Sequence, residues 1–417
     1  MGIKAALFVV LATTLAPGAP ADTTVVVGTG DPDADVPAVQ AAVDLGGKVI
    51  LSGHFSFDTA PKIPTPSRAV GFPPATILIS KAVAISGGGD TIIERGTIPF
   101  YVAAPGATVT IENLHFVRPS KSAIVVYSVK GLVIASCHIE GFVPLPSIQF
   151  SGIGISTSDM AAIPTPSQPG HPENISGRIL IANNDLDLVG GKASDAVLGI
   201  TAFSVGQSPD GEVDLYISGN RIRNINRPGI DLRRIGGRAH VERNRIITSS
   251  VASQATPEAI RVVNIGSFVI AHNVIDCQWS NPDAIAIGVY SQVADWPIVN
   301  ALVADNEITM SPPRGVQFKN FSAGIDIRGF AKDIFVGNNR IRGRARAAIA
   351  AEVFRGGIPS NTAFVLNRLG DFKASVAGVI VGNGVSDTFV LGQQETLNDQ
   401  GINTVILPLG GGPGSAQ

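Results

Sequence analysis

Seven times between residues 181 and 369 the chain runs from a short apolar stretch into Asn, one further residue, and then Ile or Leu. The copies are Ile181-Ala182-Asn183-Asn184-Asp185-Leu186, Ile217-Ser218-Gly219-Asn220-Arg221-Ile222, Val241-Glu242-Arg243-Asn244-Arg245-Ile246, Ile270-Ala271-His272-Asn273-Val274-Ile275, Val303-Ala304-Asp305-Asn306-Glu307-Ile308, Val336-Gly337-Asn338-Asn339-Arg340-Ile341 and Phe364-Val365-Leu366-Asn367-Arg368-Leu369. The steps from Asn to Asn are 36, 24, 29, 33, 33 and 28 residues. Weaker copies, with another residue in the Asn place, centre on Gly53, Gly88, Leu114, Cys137 and Gln393, giving about twelve units. Each unit carries a second strand introduced by Gly or Ala and then Ile, as in Gly229-Ile230-Asp231-Leu232, Ala259-Ile260-Arg261-Val262, Ala284-Ile285-Ala286-Ile287, Gly324-Ile325-Asp326-Ile327 and Ala348-Ile349-Ala350-Ala351. Short strands separated by turns, with insertions at a fixed phase, describe stacked coils in which each unit buries its apolar face only against its neighbours. A propeller would need hairpins with two-residue turns, and such signals are scarce.

Composition fits a coil of parallel strands. A length of 417 residues would ordinarily suggest two or three domains, but only 15% of residues are charged against about 25% in an average soluble protein. The 45% hydrophobic content includes just three Met, two Trp and four Tyr, so Val, Ile, Leu and Ala make up the mass, as in parallel sheets. The 47 glycines are read as tight corners, Gly87-Gly88-Gly89 among them. A net charge of −2 gives no electrostatic footprint for nucleic acid. No apolar run after residue 21 approaches the roughly 18 residues a membrane-spanning helix needs.

The Val-x-Ile-x-x-Asn-x-Ile and Gly-Ile-x-Ile units resemble those of right-handed parallel β-helix proteins of the pectin lyase-like superfamily, over residues 46–407. The resemblance implies an all-β solenoid of about twelve rungs. It also implies that the repeated Asn forms an inward ladder at the turn between the second and third sheets. A buried Asn is tolerated only when its donors and acceptors are paired, and identical neighbours can pair it repeatedly. Ahead of the coil, in residues 22–45, Asp35 as N-cap followed by Pro37, Val39, Ala42 and Val43 and closed by Gly46-Gly47 predicts a short helix covering the open end.

Residues 1–21 read as a secretory signal, with Lys4, an apolar stretch from Ala5 to Ala16 and an Ala19-Pro20-Ala21 cleavage site. A secreted or periplasmic address is expected, with residues 408–417 a Gly-rich tail. Cys137 and Cys277 fall four rungs apart, about 19 Å at a strand spacing of about 4.8 Å, too far for a disulfide.

The resemblance further implies that any active site lies on the outward face of the first sheet, the Gly-Ile-x-Ile strands. Alternation assigns outward positions to Asp231, Arg233, Arg261, Gly288, Asp326, Arg328 and Glu352. Asp231 with Arg261, and Arg328 with Glu352, fall on adjacent rungs at ion-pair distance, which suits either a site or a plain solvated ladder. Trp279 and Trp296 lie in the loops on either side of the strand Ala284 to Tyr290, where indoles would grip a sugar ring, unless both fall there by chance. Glu258 and Asp283 each precede a first-sheet strand. One strand spacing apart, they would form a carboxylate couple suited to retaining glycoside hydrolysis, with Arg261 beside them. On the third sheet, His115, His138 and Asp185 should stack in one column, with Glu140 and Asp187 two residues further along. They form either a metal site or an ordinary polar column. That stack requires residues 157–178 to be one long loop and not a concealed rung.

The expectation is an exported polysaccharide-active protein of lyase or glycoside hydrolase type, binding polysaccharide or oligosaccharide on the first sheet. For a lyase, Arg233, Arg261 or Arg328 would neutralise the substrate carboxylate; for a hydrolase, Glu258 and Asp283 would act as acid and nucleophile. The alternatives are a non-catalytic glycan-binding or surface structural β-helix and a periplasmic metal-handling one. No cofactor is required by the first two, and the last admits a divalent metal. The sequence lacks the Asn-Thr-Asp, Asp-Asp, Gly-His-Gly and Arg-Ile-Lys set of polygalacturonases, the Trp-Ile-Asp-His of pectate lyases and the Asp-Pro-His-Asp of alginate epimerases. No substrate therefore carries over from those families.

Overall fold

The computed structural model describes residues 23–58, 75–143, 149–156, 175–188, 196–206, 211–252, 257–319, 321–392 and 397–407. The leader expected at 1–21, the tail at 408–417 and the weak copy at Gln393 lie outside the described residues. Every pairing between named strands is parallel, and in mid-chain each strand pairs with the third strand before it and the third after it. One turn of the coil therefore consists of three strands, for example Ile230–Ile235, Gly237–Glu242 and Arg245–Thr248. Successive turns stack into three sheets, and the fold is a right-handed parallel β-helix.

Alternation along each strand sends one set of side chains into a continuous core, and stacking aligns like with like. Ile230, Ile260, Ile287, Ile325 and Ile349 occupy one inward column, and Leu232, Val262, Val289, Ile327 and Ala351 the next. Both cysteines are buried and free, and burial pushes each thiol up to about 12. The ladder positions from Cys137 through Asn184, Asn220 and Asn244 to Asn273 keep the two thiols four rungs apart.

The Asn ladder forms as expected. From Asn184 to Asn339, each side chain donates from Nδ2 to the next ladder Asn Oδ1 at 2.9–3.0 Å, and that oxygen also accepts the ladder residue's own backbone N–H. The residue before each ladder position bends the chain in the left-handed region: Asn183, Gly219, Arg243, His272, Asp305, Asn338 and Leu366 all have φ between 52° and 67°. Non-glycine residues adopt this conformation at a cost, and the ladder hydrogen bonds offset it at the same corner. In the weaker N-terminal copies the strand register puts Thr91, not Gly88, in the ladder place, because Ile92 pairs with His115 and Leu114 precedes it. Thr91 Oγ1 donates to the Leu51 carbonyl at 2.6 Å. Gly87 is required for a different reason: a Cβ there would lie 2.0 Å from the Asn113 carbonyl oxygen.

The N-terminal helix spans Pro32–Leu45, and its buried Val36, Val39, Ala42 and Val43 join the core. Its N-cap is Asp31, which accepts from the Asp33 N–H at 3.0 Å, and not Asp35. Pro32 at the first helical position starts the helix earlier than the sequence suggested. Asp35 is instead buried and clamps the helix to the first coil, accepting from Thr29 N and Oγ1, Gly30 N and Ser56 N at 2.7–3.1 Å. Before the helix, an unforeseen strand, Thr23–Thr29, pairs with Gly47–Ser56. No helix among the described residues is long and apolar enough to cross a membrane.

Candidate functional site

The charged residues of the first sheet converge as alternation predicted. Asp231, Arg261, Gly288, Asp326 and Ala350 stand in one outward column, and Arg233, Val263, Tyr290, Arg328 and Glu352 in the next. Over them lies a cavity of about 600 Å³ whose lining includes Glu258, Arg261, Arg233, Arg328, Tyr290 and Phe321. Phe203, Ser204, Arg234, Val263, Asn264, Gln292 and Phe354 complete it.

Two fully buried aspartates hold the arginines of the lining. Asp231 Oδ1 accepts from Arg261 Nε at 2.9 Å, and its Oδ2 accepts from Arg233 Nη2 at 2.9 Å and from Arg261 Nη2. Burial alone would raise its pKa, but the two guanidiniums outweigh that and hold it below the ordinary aspartate value. Asp326 binds Arg328 Nε at 2.9 Å and Nη2 at 2.7 Å. Burial, reinforced by Glu352, outweighs Arg328 and the weaker pull of Arg346, and the pKa of Asp326 rises to about 6. Arg328 also reaches Glu352 at 3.2 Å, and Arg346 reaches the same carboxylate at 2.7 Å. The side chains of Arg328 and Arg261 are 5% and 14% exposed, whereas that of Arg233 is 43% exposed at the rim.

Aromatic rings form the walls. Phe203 lies under Arg233 with the guanidinium 4.8 Å from the ring centre, and Phe321 under Arg328 at 4.2 Å. Tyr290 is buried, and among the described residues its hydroxyl has no hydrogen-bond partner. Burial holds that phenol protonated, well above its usual pKa. Gly288 is what lets the ring lie there, since a Cβ at 288 would stand 2.5 Å from the Tyr290 oxygen.

Glu258 is the carboxyl group lining the cavity. It approaches Arg261 Nη1 at 3.3 Å, yet burial raises its pKa from 4.5 to about 7, with Arg261 opposing and Asp231 reinforcing. A group poised near 7 can both take and give a proton at neutral pH.

Three expectations are corrected. Glu258 pairs with Ile285 and not with Asp283, which stands two residues upstream of that register and outside the cavity lining. Asp283 is half-buried, and its Oδ1 accepts the Phe321 N–H at 3.3 Å, so the two carboxylates do not form a facing couple. Trp279 is wholly buried in the coil and donates Nε1 to the Ile225 carbonyl at 3.3 Å. Trp296 is half-buried and does not line the cavity. The aromatic side chains that line the cavity are instead Phe203, Phe321, Phe354 and Tyr290. Of these, Phe203 could have been found, because its register with Arg233 makes it an apolar side chain in an outward position. Phe321 and Phe354 lie beyond strand ends, where alternation says nothing.

On the third sheet His115, His138 and Asp185 stack as expected, and the register from His138 directly to Asp185 leaves no rung between them. Asp185, however, is bound by Arg223 at 3.1 Å, and Glu140 closes on the two imidazoles in its place.

No protein family matches the sequence, and no curated protein matches it. Among solved structures, the surface protein and adhesin PfbA of Streptococcus pneumoniae is similar over 88% of this chain and 100% of its own, at 12% identity and a TM-score of 0.53. The Dettilon tailspike protein is similar over 91% of this chain and 68% of its own, at 12% identity and a TM-score of 0.45. In fold, the protein is a right-handed parallel β-helix.

Proposed function

We propose that the protein is an exported polysaccharide-binding β-helix that cleaves acidic glycan by elimination in the first-sheet cavity. The observation that carries this reading is the composition of that cavity: Arg233, Arg234, Arg261 and Arg328 surround a single lining carboxyl, Glu258, whose pKa is raised to about 7. Hydrolysis would call for a second carboxylate facing Glu258, and Asp283 is out of register for it. Elimination calls for cations on a uronate carboxylate, one base and one proton donor. Arg261 and Arg328 would bind the sugar carboxylate. Glu258, ionised, would take the proton on the carbon beside that carboxylate. The electron pair left behind would form the ring double bond as the glycosidic C–O bond breaks, and the departing oxygen would take a proton from water or from the Tyr290 phenol. Phe203 and Phe321 offer apolar faces for sugar rings. The leader pattern of residues 1–21 supports export.

The test is incubation with a panel of uronate and neutral glycans, following the ultraviolet absorbance of unsaturated ends alongside reducing sugar. Absorbance rising with one acidic glycan is expected; reducing ends without absorbance would replace elimination by hydrolysis. Gly288→Ala is expected to weaken binding of that glycan about tenfold, an effect of about 1.4 kcal/mol. The three atoms nearest the added Cβ all belong to the far end of the Tyr290 side chain, so the ring is expected to shift. Calorimetric titration and a thermal melt check this: unchanged affinity would remove Tyr290 from the site.

A second reading, binding without cleavage, is favoured by the ion pairs that already neutralise Arg261 and Arg328. The likeness to PfbA, a surface adhesin, suits it as well. Retained affinity with no product from any glycan would establish this reading.

A further inference from the structure

We propose that His115, His138 and Glu140 form a binding site for a divalent transition ion of the zinc class, on the third sheet and apart from the sugar cavity. His115 and His138 are paired residues of adjacent rungs, and Glu140 ends the same strand as His138, so rigid strands hold all three. The imidazole centres are 4.5 Å apart. Glu140 Oε2 lies 3.2 Å from His115 Nε2 and 3.7 Å from His138 Nε2. Ligands about 2.0–2.1 Å from a tetrahedral zinc stand about 3.4 Å from one another, so these two separations bracket the coordination edge. Among the described residues no other three His, Cys, Asp or Glu side chains bring their ligand atoms as close, within 4.8 Å of one another.

A second observation comes from behind the cluster. Asp185 Oδ2 lies 3.5 Å from His138 Nδ1, on the ring nitrogen that faces away from Glu140, and Arg223 anchors that carboxylate at 3.1 Å. A carboxylate on the far nitrogen fixes the tautomer that leaves Nε2 free to bind metal, as in many zinc sites. Asp185 is therefore a positioning residue and not a ligand. His240 makes the contrast: it lies between Asp214 and Glu242 at 3.9 and 3.6 Å, with no second imidazole. The three ligands are half-buried or exposed, which leaves the remaining coordination positions to water or to a donor from outside.

The experiment is titration of chelator-stripped full-length protein with cobalt(II) and then zinc(II), reading the visible cobalt bands and competing with a chromophoric chelator. One equivalent of ion with tetrahedral cobalt bands is expected. His115→Ala and His138→Ala should each weaken binding by at least about 100-fold, and Glu140→Gln by about tenfold. Asp185→Asn should weaken it by about 10 to 100-fold and shift the cobalt bands, with Asp185→Glu restoring part of both. His240→Ala should change nothing. These are surface changes, and unchanged circular dichroism melts show that the variants fold. Absence of binding at 100-micromolar ion, or binding that survives both histidine substitutions, overturns the proposal.

Discussion

Asn273→Leu is expected to lower the free energy of unfolding by about 3–6 kcal/mol. Asn273 stands mid-ladder and is fully buried. Its Oδ1 accepts the Asn244 backbone N–H at 3.0 Å and the Asn244 Nδ2 at 3.0 Å. Its Nδ2 donates to the Val241 carbonyl at 2.8 Å and to Asn306 Oδ1 at 3.0 Å. Leucine keeps the branched skeleton of four side-chain heavy atoms and removes all four bonds at once. The partners remain in a dry corner, where each unpaired donor or acceptor costs about 1–3 kcal/mol. Three of them depend on Asn273 for these bonds: the Asn244 N–H, one Asn244 amide hydrogen and the Val241 carbonyl. A domain is stable by only about 5–15 kcal/mol, so the loss should show plainly in guanidinium unfolding. Arg245→Ala, one position after ladder residue Asn244 and exposed, is the control, expected to stay within about 0.5 kcal/mol. A loss below about 1 kcal/mol for Asn273→Leu would mean that apolar stacking, and not the amide ladder, fixes this corner.

The ladder was legible because it requires the same chemistry at the same phase in every rung, so a single sequence repeats the signal seven times. The outward columns were legible for a related reason: alternation settles which face a residue occupies. Alternation does not settle registration along the strand, since a slip of two residues keeps every side chain on its own face. Ala284-Ile285-Ala286-Ile287 fits either phase, and the phase that places Asp283 opposite Glu258 is the wrong one by two residues. The tryptophans misled because composition places a large aromatic in a loop without saying whether the loop turns inward. Trp279 fills the coil and finds the Ile225 carbonyl. On the third sheet the column was right, but Asp185 is held by Arg223 at 3.1 Å, a partner that the repeat pattern did not reveal. Local pattern thus fixed the coil and its faces, whereas the site depended on competition among neighbours that no repeat encodes.

Glu258→Gln should separate chemistry from stability in opposite directions. As the base of the proposed elimination, Glu258 must be ionised, so activity on an acidic glycan should rise as pH passes through about 7. Glutamine cannot accept that proton and should lower the rate by about 10²–10⁴-fold, the usual size of a lost general base. Stability runs the other way. The folded pKa of about 7 lies above the ordinary 4.5 because burial disfavours the charge. The stability contributed by holding the carboxyl protonated is therefore complete below about pH 4.5 and is lost as pH rises through about 7. An upward shift of this size corresponds to about 3 kcal/mol. Glutamine keeps an acceptor for Arg261 and never ionises, so the variant should match the wild type near pH 4 and exceed it near pH 8 by up to that amount. Melting curves from pH 4 to 8, set beside glycan turnover over the same range, test both halves. Parallel stability curves for the two proteins would mean that Glu258 keeps its ordinary pKa in the folded protein. Full turnover by the glutamine variant would remove Glu258 as the base and leave the cavity to binding alone.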